Sequence, residues 1–273
     1  MKLFKLSILM SITSAYFLIA CSSYKIGANI SAEERFKLGK VMYNNKDYEE
    51  AKIQFKLLTL NYPGSSFIDE AQYFLAQSYF KRKEYIFASD EFNRLLRLYP
   101  RSKWIDNSQF MVAMCDFKLS PKPTLDQKHT LQAVASFQRF LEDFPKSELA
   151  KEAERLLNIC RTKLAEKDFR SGELYRKLKD YHASYVYFNG VVNSYYDTKF
   201  AHPALYWKSE SLYRLGRKSE AEESFRELIS KYPRSEFRAK SIARLKEIKM
   251  DLGQSQETEK KTSLSSQTKN ELR

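Results

Sequence analysis

The residues best equipped for chemistry are few: three histidines, His129, His182 and His202, and two internal cysteines, Cys115 and Cys160. They lie far apart, in none of the spacings that gather ligands around a zinc ion. No glycine-rich loop is available to cradle phosphates and no G-x-S-x-G elbow presents a serine, in a chain with only seven glycines among 273 residues. Adjacent acids such as Glu222 and Glu223 fall on a helix face expected to meet solvent. Residue supply therefore argues against catalysis and against a metal or diffusible cofactor. Cys115, in MVAMCDF, and Cys160, in LLNICRT, occupy apolar helical settings. Buried free thiols are expected there, with pairing as the alternative in an oxidising compartment.

What the chain has in quantity is rings, eighteen tyrosines and nineteen phenylalanines. Ten positions fall into five pairs, each pair seven residues apart and so on one side of a helix. They are Phe36 and Tyr43, Tyr73 and Phe80, Phe110 and Phe117, Phe169 and Arg176, and Tyr206 and Tyr213; nine of the ten are aromatic. Such a ladder either packs against neighbouring helices or lines a groove for a partner segment, and the pattern alone leaves both open. The candidate groove residues are Phe36, Lys40, Tyr43, Tyr73, Phe80, Lys81, Phe110 and Phe117.

The elements that must position this ladder repeat. YPGS at 62–65, YPRS at 99–102, FPKS at 144–147, YYDT at 195–198 and YPRS at 232–235 each follow a small residue and a phenylalanine at fixed offsets. Those pairs are Ala51 and Phe55, Ala88 and Phe92, Ala133 and Phe137, Ser184 and Phe188, and Ala221 and Phe225. Twelve residues earlier stands a second small residue, Gly39, Ala76, Gly172 or Ser209 in four of the copies. The unit is a helix with a small residue, a turn, a second helix bearing A-x-x-x-F, and an exit where proline stops that helix. The serine or threonine of each exit is expected to accept hydrogen bonds from the first free amides of the next helix.

This pattern resembles the tetratricopeptide repeat, of period about 34 residues. It implies an all-α, right-handed superhelical solenoid of five repeats over residues 31–252, with exits near 63, 100, 145, 196 and 233. Hairpins of this kind cannot bury their apolar faces alone and must stack. Repeat three carries an insertion, KLSPKPTLDQKHT, between its helices, and the helical stretch 148–178 before repeat four is expected to break near Lys163. Phe237, Ile242, Leu245 and Ile248 form the stripe of a C-terminal capping helix. Residues 253–273 are polar and read as a disordered tail.

Residues 1–20 have the basic start and short apolar run of a signal peptide. The junction LIAC resembles the lipobox of bacterial lipoproteins, which makes Cys21 the lipidated first residue and 21–30 a linker to the repeats. The covalent lipid on Cys21 then holds the chain to a membrane. Ser22, where aspartate would signal inner-membrane retention, points to the periplasmic face of the outer membrane. Without Lys2 and Lys5 the formal charge falls from +13 to +11. Export turns so basic a surface towards acidic protein or lipid and away from nucleic acid.

Lipobox, five repeats, Y-P-x-S exits and the stretch holding Pro121, Asp126, Gln127, Thr130 and Ala133 together resemble the BamD family. Those are lipoproteins of the outer-membrane β-barrel assembly machinery. The resemblance implies a non-catalytic scaffold whose C-terminal repeats dock on a BamA-like β-barrel protein with periplasmic domains. It implies that the N-terminal repeats receive the C-termini of unfolded outer-membrane proteins, which end in an aromatic residue and a free carboxylate; Lys40 or Lys81 at the groove rim could meet the latter. Tyr196 departs from the family by replacing the exit proline of repeat four, leaving Asp197 and Thr198 to end that helix. The rival reading is an adaptor or pilot of the same fold serving a secretin or a peptidoglycan-synthesis machine.

Overall fold

In the computed structural model, residues 30–251 are described, and the expected signal peptide, Cys21 and the expected tail lie outside them. The described residues are helical and contain no strand. Ten helices pair into five antiparallel hairpins: α1 (Ala32–Asn44) with α2 (Tyr48–Asn61), α3 (Ile68–Lys81) with α4 (Tyr85–Leu98), and α5 (Ile105–Leu119) with α6 (Lys128–Asp143). The last two are α7 (Ala150–Lys177) with α8 (Tyr181–Ser194), and α9 (Ala201–Arg214) with α10 (Lys218–Lys231). A final helix, α11, occupies residues 238–251. Each of the ten paired helices packs on its neighbour in sequence, and first helices α1 and α3, and α5 and α7, also touch directly. The fold is the right-handed superhelical solenoid of tetratricopeptide repeats.

The small-residue and phenylalanine offsets mark where the two helices of a hairpin meet. Phe55, Phe92, Phe137, Phe188 and Phe225 are completely buried; each contributes about 2–3 kcal/mol by leaving water. In the first and fourth repeats the approach is closest. A Cβ added to Gly39 would lie 2.8 Å from Cε1 of Phe55, and one added to Gly172 would lie 2.8 Å from Cε1 of Phe188.

The exits work differently from a simple cap. Ser65, Ser102, Ser147 and Ser235 stand two residues before the cap position, and each Oγ accepts from the amide of Phe67, Trp104, Leu149 or Phe237 at 3.1–3.3 Å. Those amides precede the helix; the serine shapes the turn and does not cap the helix. Its hydroxyl faces back across the hairpin, donating to Asp69 from Ser102 (2.7 Å) and to Asp106 from Ser147 (3.1 Å). The exits of repeats two and three are thereby tied to the start of their own first helices.

Repeat four replaces the missing proline with a cation from α7. Both oxygens of Asp197 accept from Arg161, at 2.9 and 2.6 Å, and Arg161 Nη2 also donates to the Ser194 carbonyl at 2.8 Å. Thr198 Oγ1 donates to the Tyr195 carbonyl. A carbonyl that helix α8 would leave open is satisfied by a side chain of its partner helix.

The expected break near Lys163 is absent, for α7 runs unbroken through 28 residues. Neither proline nor glycine interrupts it there, and Lys163 is instead the anchor of the insertion. The insertion itself is a loop at 120–127, its ends absorbed into α5 and α6. Lys163 Nζ donates to Ser120 Oγ (2.7 Å), and Thr130 Oγ1 donates to the Gln127 side-chain oxygen (2.6 Å). With the threonine proton so used, Ser120 donates to Thr130 (2.6 Å). Buried Gln127 completes the chain by donating to the carbonyls of Lys122 and Leu125 at 2.8 and 3.0 Å. Every member has a partner, which is what keeps a polar loop fixed inside a helical stack.

Candidate partner-binding groove

The ladder of rings lies on the first helices, and its two ranks have different surroundings. In the leading rank, Tyr73, Phe110 and Tyr206 are buried while Phe36 is half-buried. Each meets its own repeat's core phenylalanine, and a residue from the following exit covers its outer face. Phe67 stacks on Phe36 at 5.1 Å, Trp104 on Tyr73 at 4.3 Å and Phe237 on Tyr206 at 4.6 Å, while Phe200 tilts against Phe169 at 5.3 Å. Leu149 serves the third repeat among the residues packed with Phe110. These covering residues stand two places after each exit serine or threonine. Sequence reasoning passed over them, although YPGSSF, YPRSKW, YYDTKF and YPRSEF display them openly. Phe237 therefore precedes α11 rather than belonging to its stripe, and Ile248 is the fully buried apolar residue among the described residues of that cap.

The trailing rank, Tyr43, Phe80, Phe117, Arg176 and Tyr213, is half-buried. Tyr43 packs edge-on against Phe74 at 5.1 Å and against Tyr48 at 5.3 Å. Desolvation, with smaller repulsion from Tyr48 and Tyr73, pushes its phenol up to about 12. Phe80 meets Tyr85 at 5.2 Å and Phe117 meets Phe137 at 6.5 Å. The leading rings thus pack into the repeat interfaces, Tyr73, Phe110 and Tyr206 buried and Phe36 and Phe169 half-buried, while the trailing ones keep an edge to solvent.

The two lysines part company. Lys40 Nζ sits 3.6 Å from the Phe74 ring centroid and 3.4 Å from Glu70 Oε1, so a carboxylate of this chain already faces it. Lys81, at the end of α3, is exposed. Farther along, Pro123 of the insertion loop and α7 residues from Lys151 to Glu166 line an open groove of about 1120 Å³, with Ile159 its apolar element. No group of three or more potential metal ligands occurs among the described residues, and no described helix is long and apolar enough to cross a membrane. Cys115 and Cys160 are buried free thiols in different clusters; burial pushes them up to about 12 and about 11.

The family model YfiO, described as outer membrane lipoprotein, matches residues 28–224, four of the five hairpins and most of the fifth. The chain belongs to that family. YfiO-family membership makes it an outer membrane lipoprotein built on a tetratricopeptide scaffold. The search of curated proteins found no match. Among solved structures it is similar to TTC0263, a thermophilic TPR protein of Thermus thermophilus, at 14% identity over 81% of this chain and 100% of that one, with TM-score 0.35. It is also similar to the yeast Sti1 TPR2AB domain complexed with pHSP90, at 14% identity over 81% and 84% of the chains, TM-score 0.41. A third is PilW, a type IV pilus biogenesis factor, at 16% identity over 77% and 97%, TM-score 0.36.

For this YfiO-family chain, the arrangement offers groups suited to recognition. Half-exposed ring edges can accept apolar side chains, and cations beside them can accept carboxylates.

Proposed function

We propose that this outer membrane lipoprotein is a non-catalytic scaffold of the β-barrel assembly machinery, anchored through lipid on Cys21 at the periplasmic face. Its first helices receive C-terminal segments of unfolded outer-membrane proteins, and its C-terminal repeats dock on a BamA-like partner. The observation that carries this reading is the YfiO match across the repeats. The trailing rank of half-exposed ring edges supports a peptide-receiving surface, because aromatic anchors give affinity at low entropic cost. Leu174 and Leu178, one turn apart at the end of α7, are 55% and 65% exposed, which supports a protein partner on the fourth repeat. The basic surface favours acidic partners. Depletion of the protein tests the reading: loss of folded β-barrel proteins from the outer membrane is expected, whereas intact barrels with failed secretin assembly or peptidoglycan synthesis would transfer it to the adaptor class.

A further inference from the structure

Four arginines hold their guanidinium over an aromatic ring: Arg161 over Tyr195, Arg176 over Trp207, Arg217 over Tyr185 and Arg244 over Tyr213, at 4.1–5.8 Å from the ring centroid. Three of them grip a carboxylate of this chain through Nε and Nη2. Asp197 is held by Arg161, Glu220 by Arg217 and Glu210 by Arg244. The ring fixes the plane of the fork, and the fork then meets both oxygens.

Arg176 has the closest ring, at 4.1 Å, yet its side chain makes no hydrogen bond or ion pair among the described residues. Its Nε is sealed from solvent without an acceptor, while its two terminal nitrogens, equally without one, stay in contact with solvent. Glu210, which shares the surroundings of Tyr206 with Arg176, is committed to Arg244 through both oxygens. Stacking therefore holds Arg176 with its terminal nitrogens outward, oriented for an end-on carboxylate. It is also the one non-aromatic member of the ring ladder, in its half-buried rank.

We infer that Arg176, on the Trp207 platform, receives the terminal carboxylate of the segment bound along the first helices. This rests on the proposed peptide-receiving role and places the segment's end at repeat four. Lys40 is less suited, being already faced by Glu70. A terminal carboxylate beside an aromatic side chain matches what this corner offers, a guanidinium fork beside rings.

The test is fluorescence anisotropy with the full mature chain in detergent and three short labelled peptides: one ending in phenylalanine with a free carboxylate, its C-terminal amide, and the amide with a glutamate next to the end. The wild type should bind the free acid about 10-fold more tightly than the amide, the order expected for a charge-assisted pair. Arg176→Gln should remove that preference and leave amide binding unchanged, Arg176→Lys should restore part of it, and Lys81→Gln should leave it intact. Circular dichroism confirms that each variant is folded. Retained preference in Arg176→Gln, or its loss in Lys81→Gln, overturns the inference while leaving the peptide-receiving role standing. Equal binding of the free acid and the glutamate-bearing amide overturns the terminal source. No binding of any peptide to the wild type removes the role and the inference together.

Discussion

Four of the five hairpins turn through a residue in the left-handed region, and three of those residues are lysines. Lys46, Lys83 and Lys179 have φ of 65°, 65° and 61°, where the fifth repeat has Gly216 at 76°. The geometry around them is the same. The lysine amides donate to the carbonyls of Tyr43, Phe80 and Arg176, and the next amides to Met42, Tyr79 and Tyr175; Gly216 and Arg217 repeat this with Tyr213 and Leu212. This is a helix C-terminus closed by a left-handed residue, a position that glycine fills without steric cost. A side chain there costs about 1–2 kcal/mol, and glycine gives back about 0.5–1 kcal/mol through unfolded-chain entropy. All three lysines are exposed, so no packing is lost on replacement. Each Lys→Gly should thus stabilise by about 0.5–1 kcal/mol, and the sites, one per repeat, should add to about 2 kcal/mol. Urea denaturation followed by circular dichroism should show the triple variant unfolding at higher denaturant than wild type, and Gly216→Lys at lower. A triple variant with an unchanged or lower midpoint would refute the reasoning.

Gly39→Ala and Gly172→Ala push a Cβ to 2.8 Å from Phe55 and Phe188; overpacking of about 1–3 kcal/mol outweighs a helix-propensity gain of about 1 kcal/mol, and thermal denaturation should report net loss. Arg161→Ala should cost about 1 kcal/mol by releasing Asp197 and the Ser194 carbonyl together, read in the same assay. Hydrogen bonding to Arg161 holds the Asp197 carboxyl below its ordinary range. Its contribution should be present above about pH 4 and fade as pH falls through the lowered value, a fade that Arg161→Ala abolishes. Cys115 and Cys160 should resist thiol reagents in the native chain at pH 8 and react on unfolding. Because burial raises both, they should lower stability as pH climbs from about 9 towards the folded values of about 12 and about 11.

The hairpins were legible because one contact, small residue against phenylalanine, recurs at offsets a helix enforces. Ala51 and Phe55 mark the same crossing as Ala221 and Phe225, and both phenylalanines are fully buried. The exits were legible as stops but not as turns. Proline announces where a helix ends, whereas the direction of a serine hydroxyl depends on Asp69 or Asp106, some 33 or 41 residues away. Lys163 illustrates the opposite error, since a polar residue in mid-helix reads as a break until Ser120 supplies its partner. The candidate groove was half legible: spacing put the rings on one face, but only the covering residues Phe67, Trp104 and Phe237 decide which of them are sealed. Arg176 looked like an interruption of the ladder because its meaning depends on Trp207, from the next repeat, and on a carboxylate already committed elsewhere.

The scaffold role is tested most directly by recovering the lipidated protein from its native membrane after mild crosslinking and identifying what accompanies it. The account predicts a β-barrel protein with repeated periplasmic domains, crosslinked through the fourth and fifth repeats. Recovery of a secretin or a peptidoglycan synthase in its place would contradict it.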